Sequence, residues 1–170
     1  MSGHGEQPPE DVDTTLAALR WRISELESML ARKQQEVANL TRNEEVLHAT
    51  LNAAADGILA VDTLGHVLVS NRQFAKMWHI PPDLIEAADD NELVKFVMDQ
   101  LVSPEQFASK VRELYRSYNP STDILHFRDG RIFTRFSQPL VMGDTLCGRV
   151  WTFRDISPHD QVKAATDQPH

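Results

Sequence analysis

The side chains that could do chemistry are few and scattered. The single cysteine, Cys147, falls in LCGRVWTFRDI, a run with the branched and aromatic content of a strand. His48 stands in LHAT on a helical stretch without the acidic neighbour and proline that a phosphoryl-accepting histidine would have, and reads as a surface residue. His126, in TDILHF, reads as a half-exposed sheet residue rather than a ligand. Asp89, Asp90 and Glu92 could hold a hard cation, yet they precede an apolar helical run whose positive end they would stabilise. No glycine-rich phosphate loop, Cys/His metal spacing or Gly-x-Ser-x-Gly elbow occurs. Neither catalysis nor a metal centre is expected, and no cofactor can be named.

What remains is recognition by shape. Aromatic residues concentrate between Phe74 and Phe153. They serve either as the core of a small domain or, in part, as the lining of a pocket for a small apolar or aromatic ligand between residues 91–101 and a sheet. The pocket candidates are Ile58, Trp78, Phe96, Phe107, Phe127, Phe133, Trp151 and Phe153. Strand alternation puts Trp151 and Phe153 on one face and Val150 and Thr152 on the other, leaving open which looks inward.

Composition narrows the partners. The chain has 170 residues, 41% of them hydrophobic, enough for one domain with a real core plus an extension. Its 25 acidic and 17 basic residues give a net charge of −8 with no Lys/Arg-rich run, which argues against nucleic acid and anionic lipid. One cysteine cannot form an internal disulfide, no secretory leader pattern is visible, and no apolar run approaches the ~20 residues of a membrane span. A soluble protein in a reducing, cytoplasmic setting is expected.

The elements that must position these residues follow from periodicity. Residues 1–15 are polar with Pro8-Pro9 and read as a disordered arm, as do residues 158–170 as a flexible tail. From Leu16 the spacing alternates by three and four: Leu16, Leu19, Ile23, Leu26, Leu30, Lys33, Val37, Leu40, Glu44, Leu47 and Leu51, nine of the eleven aliphatic. So narrow a seam predicts a coiled coil over 16–51 pairing with a second copy in parallel, with Lys33 and Glu44 as register-setting polar positions; one amphipathic helix lying on its own domain is the other reading. After Leu51, strands are expected at 57–62 and 67–71, and a short helix at 72–78 that ends near Pro81-Pro82. Two helical segments within 91–118 follow, the second with Ser103 as N-cap, Pro104 in its first turn and Gln106 at the capping-box offset. Three more strands lie at 122–127, 131–140 and 146–156, turned at Asp129-Gly130 and Met142-Gly143-Asp144.

That order, together with Asp56-Gly57-Ile58, Asn71-x-x-Phe74, Asp129-Gly130-Arg131 and the closing Arg154-Asp155-Ile156-Ser157, resembles a PAS domain over about residues 47–157. The resemblance implies an α+β fold: a five-stranded antiparallel sheet of order 2-1-5-4-3 with helices on one face, preceded by a coiled-coil helix like the family's signal-transmitting linkers. It implies no flavin-adduct photochemistry, since the reactive-cysteine motif is missing, and no histidine haem ligand in the long helix. A sensory or regulatory module in signal transduction is expected, a homodimer acting on an unidentified output protein. Alternatives are a ligand-free scaffold, or the input fragment of a larger histidine kinase or cyclic-dinucleotide signalling protein. Because the last strand would end beside the first, Asp155, bonded to loop amides or to Arg154 or Arg149, is expected with Asp56 to couple sheet to helix.

Overall fold

The computed structural model describes residues 10–86 and 90–158. Ten elements follow in chain order: α1 (Glu10–Ala53), β1 (Gly57–Asp62), β2 (Val67–Ser70), α2 (Arg72–Met77), α3 (Pro82–Glu86), α4 (Asp90–Asp99), α5 (Pro104–Leu114), β3 (Ser121–His126), β4 (Ile132–Met142) and β5 (Thr145–Asp155). Two compact units divide the chain between Leu47 and His48. The first is the long part of α1; the second holds the sheet, the short helices and the last turns of α1. Among the described residues no helix is long and apolar enough to cross a membrane.

Helix α1 begins at Glu10, ahead of the expected start at Leu16, so residues 10–15 are helix rather than a disordered arm. Asp11 and Asp13 in its first turns favour the positive end of the helix, and Thr15 Oγ1 donates back to the Asp11 carbonyl at 2.7 Å. Residues 1–9 and 159–170, assigned to the arm and tail, lie outside the described residues, as does Asp89 of the acidic cluster. The seam residues Leu16, Leu19, Ile23, Leu26, Leu30, Val37, Leu40 and Leu47 are all exposed. Lys33, within the seam, pairs with Glu36 at 2.7 Å.

The sheet is antiparallel with order β2-β1-β5-β4-β3, as the resemblance implies. Central strand β5 pairs Gly57 with Phe153 on one side and Arg135 with Phe153 on the other. Trp151 and Phe153 are buried whereas Val150 and Thr152 are half-buried, which settles the inward face. Val61, Trp78, Leu101, Leu114, Phe127, Phe133, Trp151 and Phe153 are among the core residues, and Trp78 is fully buried. Its indole meets the rings of Phe127, Phe153 and Phe133 at centroid distances of 4.9, 5.3 and 5.9 Å, two of them edge-on, a geometry worth about 0.5–1.5 kcal/mol per pair beyond area.

Three local features differ from expectation. Helix α2 stops at Met77, before the prolines, because a left-handed His79 (φ 52°) closes it: the His79 and Ile80 amides bond back to the Lys76 and Ala75 carbonyls, a Schellman arrangement. That early stop turns Trp78 into the core. A further short helix, α3, fills the space after Pro81. Pro104 opens α5, but Ser103 makes no side-chain cap, its backbone (φ −126°, ψ 72°) aiming the hydroxyl elsewhere.

Where β1 and β5 come closest, only glycine fits. A β-carbon on the buried Gly148 would stand 1.9 Å from the Val61 carbonyl oxygen, which the central strand pair cannot move aside. Gly148→Ala is expected to lower the unfolding free energy by about 1–3 kcal/mol, an overpacking cost, read as a lower urea midpoint with unchanged slope.

Candidate functional site: an internal cavity and a helix junction

Between the inward face of the sheet and helices α4 and α5 lies a half-open cavity of about 830 Å³. The sheet contributes Leu59 and Val61 from β1, Arg135 from β4, and Trp151 and Phe153 from β5. Helices α2, α4 and α5 add Phe74, Val97, Phe107 and Val111, with Trp78 after α2, His66 from the β1–β2 turn, and Arg112 and Tyr115 at the end of α5. Each strand supplies alternate residues, as the pleat requires.

Of the eight expected lining residues, Trp78, Phe107, Trp151 and Phe153 stand in the wall. Ile58 does not: alternation gives Leu59 and Val61 to the cavity and sends Ile58 to the other face. Phe96 lies beside the core, because Leu93, Val94, Val97 and Met98 form the face of α4 that looks inward. Phe127 and Phe133 are packed ring on ring at 4.4 Å under Arg131, whose guanidinium lies 4.3 Å from the Phe127 ring, and so belong to the core. His126 points to the exposed side of β3, and Cys147 is half-buried on β5. Among the described residues no group of three His, Cys, Asp or Glu side chains could hold a metal ion.

Two arginines on the inward face, each only 1% exposed, were not singled out as site residues. Arg149 donates to Ser137 Oγ and to the carbonyls of Leu114, Ser117 and Asn119, so it caps the end of α5 with a side chain from β5. Burial, and then the nearby charge of Arg135, lowers its pKa from the usual guanidinium value. Arg135 gives Nε and Nη2 to the Asp123 carboxylate, and its guanidinium is stacked 4.7 Å from the Phe107 ring and 5.0 Å from that of Trp151. A signal existed: both arginines sit in register with aromatic neighbours two residues away, on positions that alternation assigns to the interior. At the mouth, His66 bonds the Asp62 carboxylate at 2.9 Å, which holds that carboxyl below the usual range.

The second constellation joins the end of α1 to the sheet. Asn71, 2% exposed, uses its whole amide. Its Oδ1 accepts the Ile58 and Phe74 N–H groups at 2.8 and 2.9 Å, and its Nδ2 donates to the Leu51 and Asp56 carbonyls, both at 2.9 Å. Asn52 Oδ1 adds a bond from the Arg72 amide. Of the partners expected for Asp155, a loop amide is present, while the two arginines turn elsewhere. Arg154 pairs in bidentate fashion with Asp56, at 3.0 and 2.8 Å, which raises the Arg154 pKa, and Arg149 is turned into the sheet face. Asp155 accepts the Ser157 amide at 2.8 Å. Alternation explains this: Arg154 lies two residues from Thr152, on the face away from the cavity, and β5 ends beside the start of β1.

Comparison with known proteins follows the same outline. The PAS domain of an HTR-like protein from Haloarcula marismortui is 13% identical, with a TM-score of 0.52, over 72% of this chain and 99% of that domain. The sensor region of a sensor histidine kinase is 16% identical, with a TM-score of 0.49, over 61% of this chain and 40% of that one. A phage VqmA–DPO complex is 16% identical, with a TM-score of 0.48, over 68% of this chain and 53% of that one. At these identities the likeness is one of fold. A search of curated proteins finds no match. A sequence profile of the PAS fold, however, matches residues 51–164, the stretch that holds both the cavity and the Asn71 junction, and by that match the chain belongs to the PAS-fold family.

Proposed function

We propose that the chain is a sensory signalling module, without catalysis of its own, in which the state of the cavity is passed through the Asn71 junction to α1, and α1 pairs with a second copy. One observation carries this reading: the cavity wall and the junction share residues. Leu59 and Phe74 line the cavity, while the Phe74 amide and that of Ile58, next to Leu59, are held by Asn71, which also holds the Leu51 carbonyl at the end of α1. Movement of β1 or α2 around an occupant therefore bears directly on the last turn of α1. Two arrangements separated by a few kcal/mol would be enough for a switch. Asp56 with Arg154, and Asp155 at the end of β5, frame the same junction.

Pairing through α1 rests on the exposed heptad seam, since an aliphatic stripe of period 3.5 gains little on a helix alone. The output protein that would read this pairing is identified by neither the cavity nor the seam. A ligand-free scaffold draws on Phe127 and Phe133, aromatic residues used for core alone, but it leaves the cavity without a role.

Leu26→Asp/Leu30→Asp places unpaired carboxylates in the proposed seam. Sedimentation equilibrium of the full chain is expected to give a dimer for the wild type and a monomer for the double variant, with association weakened at least about a hundredfold. A variant still dimeric would place the interface elsewhere.

A further inference from the structure

Among the described residues, the buried side-chain nitrogens and oxygens without a hydrogen-bond partner are two: Trp78 Nε1 and Arg135 Nη1. Both residues line the cavity, and both lie against the same ring, that of Phe107. Both atoms are donors. Asp123 occupies the Nε–Nη2 edge of the Arg135 guanidinium, which leaves the two N–H bonds of Nη1 for something else. A buried donor left unsatisfied is expensive, and two on residues of one cavity wall, both closed to water as the wall stands, call for an acceptor that the wall must shift slightly to admit.

The charge of the lining says which acceptor. The chain as a whole carries 25 acidic residues against 17 basic ones. Yet the described lining contains no aspartate or glutamate, while Arg135 and, at the exposed rim, Arg112 contribute to it; His66 at the mouth is already paired with Asp62. Behind the wall, Asp123 compensates one of the two buried guanidiniums, and the partners of Arg149 are a hydroxyl and three uncharged carbonyls. The interior therefore holds a surplus of positive charge in an acidic protein. The rest of the wall, from Leu59, Val61, Val97, Val111 and the aromatic rings, is apolar.

We propose that the cavity takes a small carboxylate with an aromatic or branched apolar body, the carboxylate received by the Arg135 guanidinium and the Trp78 indole N–H and the body packed among Phe107, Trp151 and Val97. This rests on the sensory reading above and names the class of its ligand. A cavity of about 830 Å³ is within the range that holds molecules of this kind.

Three probes of one shape test it on the full-length chain: indole-3-acetate, indole-3-acetamide and tryptamine, which differ in carrying an anion, a neutral acceptor and a cation. The readout is the indole N–H resonances of ¹⁵N-labelled protein; the three tryptophans give three signals, and Trp78→Phe assigns one of them. Indole-3-acetate is expected to bind saturably, to move the Trp78 signal, and to bind at least about tenfold more tightly than tryptamine, with the acetamide between them. In Arg135→Met the preference for the acetate should vanish. The ranking in the wild type stands on its own if that variant fails to fold. Equal affinity for all three, or an unmoved Trp78 signal on binding, would overturn the proposal while leaving the sensory reading in place, the donors then being satisfied by water. Failure of every probe to bind would overturn both the proposal and the ligand-binding half of that reading, and the dimer measurement would still decide the other half.

Discussion

Replacing Arg149 by methionine should lower the unfolding free energy by about 2–4 kcal/mol, a large share of the ~5–15 kcal/mol that a domain commonly has. Methionine matches the length and apolar stem of arginine, so little packing is lost. What is lost, among the described residues, is the side chain that donates to the Leu114, Ser117 and Asn119 carbonyls, which cannot be removed along with it. The Leu114 carbonyl keeps the Ser117 amide at 3.0 Å, whereas those of half-buried Ser117 and exposed Asn119 lose the Arg149 donor; a buried carbonyl left without one costs about 1–3 kcal/mol, and water reaches Asn119 most easily. Substitution of buried ion pairs by apolar residues is often harmless when both charges go, but here no partner is a charge and all of them stay. The measurement is a urea titration, with the wild type and Arg149→Lys alongside; lysine keeps the charge and at most three of the bonds, and should fall between. Because the same bonds hold the end of α5, which carries Phe107, Val111 and Tyr115 along the cavity, amide exchange in residues 104–115 should quicken more than that in β3. A methionine variant as stable as the wild type would mean that α5 is held by its apolar face alone.

The way the fold and the site divide between legible and illegible residues has a physical basis. Strand positions were readable because period-2 alternation and the Gly-containing turns are local properties, and the sheet order came with the PAS resemblance rather than with any pattern in the strands. The end of helix α2 is legible to within one residue, but its cause is not: proline is the visible stop signal, whereas the actual stop is a left-handed histidine, a residue that gives no such warning. The pocket was half legible. An aromatic residue in a strand announces burial, but burial under Arg131, as for Phe127 and Phe133, and burial at a cavity wall, as for Trp151, have the same sequence signature. Ile58 was misplaced by a single residue, which in a strand is the difference between two faces. Arg135 and Arg149 are illegible as site residues because a charged residue normally marks a solvent-facing position. Their partners, Asp123 on a neighbouring strand and the carbonyls after α5, are brought close only by the fold. The Asn71 junction has a visible half, the Asn71-x-x-Phe74 motif at the start of α2, and an invisible one, the bonds to residues 51 and 56 that depend on where α1 ends.

The invisible half yields the other large effect, at Asn71→Asp. The change is isosteric and keeps the acceptor side, so the Ile58 and Phe74 amides retain a partner. On the donor side, an oxygen replaces the NH₂ that now bonds the Leu51 and Asp56 carbonyls, and a carboxylate in a site 2% exposed faces two carbonyl oxygens. Lost bonds, a buried charge and its repulsion act together, and about 3–5 kcal/mol of destabilisation is expected near neutral pH. The pH dependence separates this cause from a packing defect. In the folded variant the Ile58 and Phe74 amides favour the anion, but burial and the two carbonyls facing the second oxygen weigh more against it, so the introduced carboxyl is expected to have a pKa raised above its unfolded value of about 3.9. The destabilisation is therefore fully present above the folded pKa and shrinks as pH falls through it toward the unfolded value, where a protonated carboxyl can again donate one bond. Stability relative to the wild type should rise on acidification, measured by urea midpoints from pH 7.5 to 4.5; a pH-independent gap would assign the effect to shape. Asn71→Ser supplies the control, since it removes the donor pair without adding charge and should show a smaller loss with no such pH trend. Amide exchange in residues 51–58 locates the damage. If those amides quicken in Asn71→Asp while the β3–β4 pairing stays protected, the end of α1 is held to the sheet through this one amide, the property a relay from cavity to stem requires. If they do not, the stem is anchored by other contacts and the proposed route through Asn71 fails.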